Sequence, residues 1–585
     1  MAARRDGEAH GSLHQSTYDA DTAATRREAS TGIGMGRVVE AELSRSELEL
    51  RLVPRDDVIV LEGLVEDSPP RPQRSGTTID PAGRSDYDAL EGPFRHYRRT
   101  VEWRQGSEDR YLVRQQVSFR PAMSVFGLLY TPLIRMSLRR PATRGRHPWW
   151  AMPDRLNAHQ STVIAVMCLF HVVGGMLYGF LTNVLTFASA DLGNGSPGEQ
   201  SLVFVVTRIG AVITLVVMAA ADRVGRRRVA VWSAGLAAML TVLSALAPSL
   251  WMLAGLQTLS RNLAITAMIA ADTVSVEEIP AGSRAAAQGL GALSYGLGAG
   301  IAVICLPLAD IGDSGWRLVF AVGVLALPLV AIGARSLPES GRFEAGVADR
   351  AGGTDKAGGA GGAGASGHGA SRHRLRLNRL LIVGALFFLV NTFVAPSSQL
   401  QNDYLRADRG FDGSRITLFL VVTSVPGAIG ILLGGRWADR RGRRGVIIVG
   451  LVSLAVFTTG FFVLDGVGMW VSATLGAVLG TLSVPAMGAL APELFPTARR
   501  GAARGTLSAV ATAGSVLGLL AAGALADRVG YGATFVWLAL APLAGAALSG
   551  VLPETAGREL EEINENADDG PTSAGGSRRS LRPDP

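Results

Sequence analysis

Ala221-Asp-Arg-Val-Gly-Arg-Arg-Arg228 closes one long apolar run, and Ala438-Asp-Arg-Arg-Gly-Arg-Arg444 closes another. The two copies lie 217 residues apart (438 − 221). Working outward, Glu277-x-x-Pro280-x-x-x-Arg284 recurs 216 residues later (493 − 277) as Glu493-x-x-Pro496-x-x-x-Arg500. Pro338-Glu339-Ser340 recurs 215 residues later (553 − 338) as Pro553-Glu554-Thr555. Three dissimilar motifs that repeat in order and nearly in register mark a chain built from two homologous halves. When apolar stretches separate those motifs, the pattern is that of a secondary transporter with internal repeats.

The apolar content supports this. Of 585 residues, 48% are hydrophobic, too many for an ordinary soluble enzyme. They concentrate in twelve runs, at roughly 162–187, 200–221, 229–247, 250–274, 286–308, 316–335, 379–401, 415–436, 445–464, 467–490, 504–526 and 532–552. Numbered as spans 1 to 12, each approaches or exceeds the ~20 residues that carry a helix across ~30 Å of hydrocarbon. The expectation is an all-α membrane protein with two pseudo-symmetric six-helix bundles at 159–344 and 379–563, joined by a Gly/Ala-rich linker at 345–378. Residues 1–50 and 564–585 read as disordered tails. Residues 51–158 read as a cytoplasmic accessory region with some β structure. There Tyr97–Arg104 and Tyr111–Phe119 form a hairpin around Gln105-Gly-Ser-Glu108, and Val58–Leu61 reads as a buried strand. Phe126–Arg140 mixes leucines with arginines just before Trp149-Trp150. It suits a helix on an anionic membrane surface, or one packed on the β unit.

Arginine placement orients the chain. If both termini are cytoplasmic, thirteen arginines fall in or beside the inner loops: 223, 226, 227, 228, 284, 436, 440, 441, 443, 444, 499, 500 and 504. Five fall outside: 317, 406, 409, 415 and 528. That excess puts the repeated Asp-Arg-x-Gly-Arg motifs on the cytoplasmic side of a plasma membrane. The same arginines explain the net charge of +7, which argues against a nucleic-acid partner. Cys168 and Cys305 both lie inside apolar runs and build no disulfide framework. No signal peptide is expected, since Met1–Arg27 is polar. A Walker A sequence is absent, and residues 51–150 contain no metal-ligand cluster or nucleophile motif. No cofactor, metal or catalytic residue is therefore expected, and the chain reads as a monomer in the lipid bilayer.

The motif set resembles the major facilitator superfamily over roughly residues 160–563. Its Gly-x-x-x-Asp-Arg-x-Gly-Arg-Arg signature is complete at Gly435, Asp439, Arg440, Gly442, Arg443 and Arg444. In the first copy Asp222, Arg223, Gly225, Arg226 and Arg227 match, but Met218 replaces the small residue and should loosen the helix contact there. The resemblance, with the charges, implies a cytoplasmic gate whose contacts form when that side closes. Pro-Glu-Ser and Pro-Glu-Thr resemble the sugar porter branch. They imply a rim salt-bridge network of Glu277, Arg284, Glu339, Arg342, Glu493, Arg500, Glu554 and Arg558. Span 7 (Val394-Ala-Pro-Ser-Ser-Gln399) and span 10 lack that branch's sugar-binding motifs.

In this family spans 1, 4, 7 and 10 line the cavity, which singles out His171, Arg261, Asp272, Asn391 and Gln399 for substrate binding or proton coupling. Arg261 in Leu259-Ser-Arg261-Asn resembles the span 4 arginine motif linked to protons. Its permanent charge must be balanced by a carboxylate, by an anionic substrate or by water. Asp272 lies about three turns away. Arg208 reads as closer to the outer surface. Glycine pairs at 175/179, 296/300, 430/434, 476/480 and 514/518 suit close helix packing. The function expected is proton-coupled secondary transport of a small organic solute by alternating access. A membrane sensor signalling through the N-terminal region and a multidrug efflux pump are the alternatives.

Overall fold

The structure is a computed structural model that describes residues 39–57, 59–65, 81–106, 110–123, 125–138, 150–280, 283–338, 377–494, 500–552 and 554. The tail 1–38, Val58, Glu339, Arg342, Arg558, linker positions up to 376 and the C-terminal tail lie outside these residues. So do the side chains of Asp222, Arg223, Asp439, Arg440, Glu493 and Arg500.

The soluble unit begins earlier than residue 51. Val39–Ser44 is a strand (β1), and Arg45–Leu52 is a helix with a full capping box at Ser44 and Glu47. An amphipathic segment capped in this way is structure, which corrects the reading of residues 39–50 as tail. The remaining strands are β2 (Leu61–Leu64), β3 (Ala82–Glu91), β4 (Phe94–Gln105) and β5 (Arg110–Pro121), in an antiparallel sheet ordered β1-β5-β4-β3-β2. Ile59 and Val60 are buried, but the strand there starts only at Leu61. Alternation in β4 turns Tyr97, Arg99, Val101 and Trp103 onto the buried face. Arg99 pairs there with Glu62 at 2.5 Å, both side chains almost fully enclosed. Burial and the Glu62 carboxylate push the Tyr97 phenol well above its usual range, so it stays a neutral donor to Glu62.

Helix Gly127–Leu138 packs on the β unit, the second of its two sequence readings. Ile134 and Leu138 pack into the sheet's core, while Leu128 and Leu129 stay exposed. The unit docks on the start of the first bundle. Arg155 pairs with Asp56 and donates to Asp57 O, Thr162 donates to Ala122 O, and Asp154 pairs with Ser283 at 3.0 Å. A cavity of about 340 Å³, mostly apolar, lies in this seam between Phe126, Leu129, Trp150, Ile164 and Leu293.

From Ala158 onward the chain is helical. Nine helical stretches among the described residues are long and apolar enough to cross a membrane, which makes this a multi-pass membrane protein. The difference from twelve has a physical source. Helices Arg226–Ser244 and Leu250–Glu278 fall short because the first opens on three arginines and the second carries Gln257, Ser260, Arg261, Asn262 and Thr266. Residues 505–549 count as one stretch although the backbone breaks at Gly530 (φ 77°) and spans 11 and 12 meet there. Several helices are broken midway: span 2 at Gly210, span 8 between Ser424 and Gly427, and span 10 between Gly480 and Ser483.

Candidate solute site and inter-bundle lock

The two arginine motifs adopt the same turn. Gly225 (φ 106°, ψ 138°) and Gly442 (φ 99°, ψ 147°) each separate two helices in a conformation that side chains rarely adopt. The contacts described around them join helices of one bundle. Arg226 pairs with Glu277 at 3.2 Å, and Arg227 donates to Ala334 O. Arg284 donates to Ile279 O at the end of its neighbouring helix. Glu554 accepts the backbone N–H groups of Arg443 (2.8 Å) and Arg444 (3.2 Å), placing a carboxylate on a helix N-terminus. The small-residue position of the second copy is not its closest contact. A Cβ on Gly435 would meet Pro485 only at 3.9 Å, whereas one on Gly430 or Gly434 would collide with the backbone of span 10.

The hydrogen bonds joining described residues of the two bundles gather at the opposite ends of the helices. Asp403 is their centre, 3% exposed, and it accepts from Thr186 (2.6 Å) and Gln200 (2.6 Å) of the first bundle and from Tyr531 of its own. Beside it Asn402 donates to Asn183 Oδ1, Gly198 N–H donates to Asp527, and the N–H groups of Gly413 and Ser414 donate to Asp310. Reading the sequence missed Asp403 because span 7 was ended at residue 401. The helix runs on through Asp403 into a π turn over Tyr404–Asp408. A carboxylate just past an apolar run was the available signal.

Two polar groups lie at the heart of the first bundle. Span 1, Ala158–Leu192, is enclosed along most of its length and supplies residues to both. In the first group His171 Nδ1 lies 2.9 Å from Met167 O, a carbonyl that can only accept, so Nδ1 carries hydrogen. Nε2 then faces Asp272 Oδ1 at 3.5 Å, and that contact is favourable only with a proton on one of the two. Gln288 also reaches Asp272. In the second group Arg261, 2% exposed, donates to Thr182 Oγ1 at 3.0 Å and lies 3.6 Å above the Tyr178 ring. A desolvated cation–π contact of this kind contributes about 2 kcal/mol. Gln399 of span 7 lies against the Tyr178 hydroxyl. Asn262 Nδ2 donates to Thr207 O at 3.1 Å, which sets Arg208 and Arg261 at neighbouring positions of two touching helices. Gly210 makes this approach feasible, since a Cβ there would strike Thr258 and Asn262 at about 2.5 Å. Asn391 joins neither group and bonds to Phe387 O in its own helix. Among the described residues no cluster suits a metal ion.

Known proteins share this architecture. A relative in Haemophilus influenzae, a putative metabolite transport protein, is 26% identical over 362 residues, 57% of this chain and 80% of that one. An uncharacterised MFS-type transporter of Mycobacterium tuberculosis is 34% identical over 105 residues, only 18% of either chain. Among solved structures, the inward-open xylose transporter XylE of E. coli superposes with a TM-score of 0.54 at 17% identity, covering 69% of this chain and 99% of that one. The sequence profile of the Major Facilitator Superfamily matches residues 167–404 and 380–583. With the duplicated motifs and two helical bundles already described, the chain belongs to the major facilitator superfamily.

Proposed function

We propose that this protein is a proton-coupled secondary transporter that carries a small organic solute across a plasma membrane by alternating access. The observation that carries the reading is the cluster of bundle contacts around Asp403, at the helix ends opposite the arginine-rich loops, as in a state closed outside. Twelve spans, with both termini cytoplasmic, follow from treating Arg226–Ser244 and Leu250–Glu278 as crossings and dividing the chain at Gly530. The arginine motifs then form the gate that closes when the Asp403 lock opens, with Glu277, Glu493 and Glu554 at its rim. The His171–Asp272 pair, which needs one proton, is the coupling site.

Spin labels at Leu202 and Val529, on helices packed across the lock, test this in lipid nanodiscs. Two distance populations are expected, with Asp403→Asn shifting weight toward the longer by weakening three hydrogen bonds to the carboxylate. Lowering pH should redistribute the populations in the native protein and not in His171→Gln. One unchanging distance in all variants would overturn alternating access. A pH response that survives His171→Gln would overturn the coupling assignment.

A further inference from the structure

We infer that the transported solute is an organic anion, a carboxylate held between Arg208 and Arg261. This rests on the transport reading above and names its substrate class. Arg261 is buried, yet its Nε and Nη1 have no hydrogen-bond partner. Arg208 Nε is likewise buried without one. Thr207 O accepts from Asn262 Nδ2 at 3.1 Å, so Arg208 and Arg261 follow and precede residues in direct contact, and the Tyr178 ring under Arg261 offers a π face but no counter-charge.

The candidate carboxylates are committed elsewhere. Asp272 faces His171 and Gln288, and Asp403 is saturated by Thr186, Gln200 and Tyr531. Among the described residues neither arginine forms an ion pair with a carboxylate. Two like charges placed together favour a balancing anion, and unfilled guanidinium N–H groups suit planar oxygen pairs as the ligand.

A fourth unfilled atom narrows the class. Gln399 Oε1, from the other bundle, is buried without a donor. An anion that also carries a hydroxyl would fill both needs and would bridge the bundles, so its binding would bear on their relative position. A neutral polyol would leave the two charges unbalanced.

The test uses the purified full-length protein in detergent. Its melting temperature is followed with malate, citrate, salicylate and inorganic phosphate, and with the neutral solutes xylose and uridine. At least one hydroxy acid should raise the melting temperature saturably, with phosphate and neutral solutes weaker. Arg208→Gln and Arg261→Gln should each weaken that response tenfold or more in apparent affinity. Arg261→Lys keeps the charge without the fork and should retain part of it, which guards against loss of fold in the Gln variant. If phosphate outranks every carboxylate, the carboxylate assignment is wrong. If no anion acts, or a neutral solute acts equally on native protein and Arg208→Gln, the anion assignment is wrong. The spin-label distances judge the transport reading independently.

Discussion

At the scale of single residues, the second arginine motif is held by a glycine that does two things. Gly442 occupies a positive φ, and its missing Cβ leaves room for Glu554, whose Oε2 would lie 2.7 Å from that atom. Gly442→Ala should therefore cost about 1–3 kcal/mol from backbone strain. It should also release the carboxylate from the N-terminus of helix Arg443–Val463, worth roughly another 0.3–1 kcal/mol. The expected result is a clear drop in melting temperature for Gly442→Ala and a smaller one for Glu554→Gln, measured in one detergent. An unchanged Gly442→Ala would show that neither the strain nor the carboxylate contact matters there. His171 and Arg261 were both legible as intramembrane polar residues. The proton that His171 shares with Asp272 was not, because it follows from the Met167 carbonyl fixing the ring's other nitrogen.

At the scale of elements, glycine spacing shows how far a linear pattern reaches. The pairs 175/179, 430/434 and 514/518 make the close approaches that their spacing suggests, with backbone or Cβ atoms within 3 Å of an added Cβ. The 476/480 pair is looser, at 3.1–3.4 Å. A Cβ added at Gly296 or Gly300 would meet nothing within 4 Å, whereas one at Gly298 on the same helix would fall 2.0 Å from Val172 O. The helix is rotated so that a different glycine faces span 1, and rotation depends on neighbours as well as spacing. Gly298→Ala should destabilise by about 1–3 kcal/mol through overpacking. Gly300→Ala should be neutral or slightly stabilising, since Ala has the higher helix propensity. Thermal denaturation of the two variants checks this directly. A neutral Gly298→Ala would show that spans 1 and 5 can separate without loss.

At the scale of the whole molecule, the described residues show how the β unit is joined to the membrane helices. The β unit is attached to the first bundle mainly through Arg155, Thr162 and Asp154. It has its own buried cores around Tyr97 and Trp103. Deleting residues 1–120 should leave a chain that inserts and still responds to solute in a melting assay. Arg155→Ala in the full chain should make the β unit easier to release by limited proteolysis. Failure of the truncated chain to insert would show that the unit belongs to the membrane fold.

The sequence by itself determined the two-fold repeat, the apolar character of the helices, the family and the positions of the arginine turns. These are properties of composition, spacing and order along the chain, so no folding is needed to read them. Only the tertiary structure decided which polar groups meet. Asp403 reaches Thr186 and Gln200 from more than 200 positions away, and Asn262 reaches the Thr207 carbonyl beside the break at Gly210. Such partners are chosen by helix rotation, by kinks and by where each helix ends. In a low-dielectric interior each of those choices decides whether a charge is neutralised or left open to a ligand.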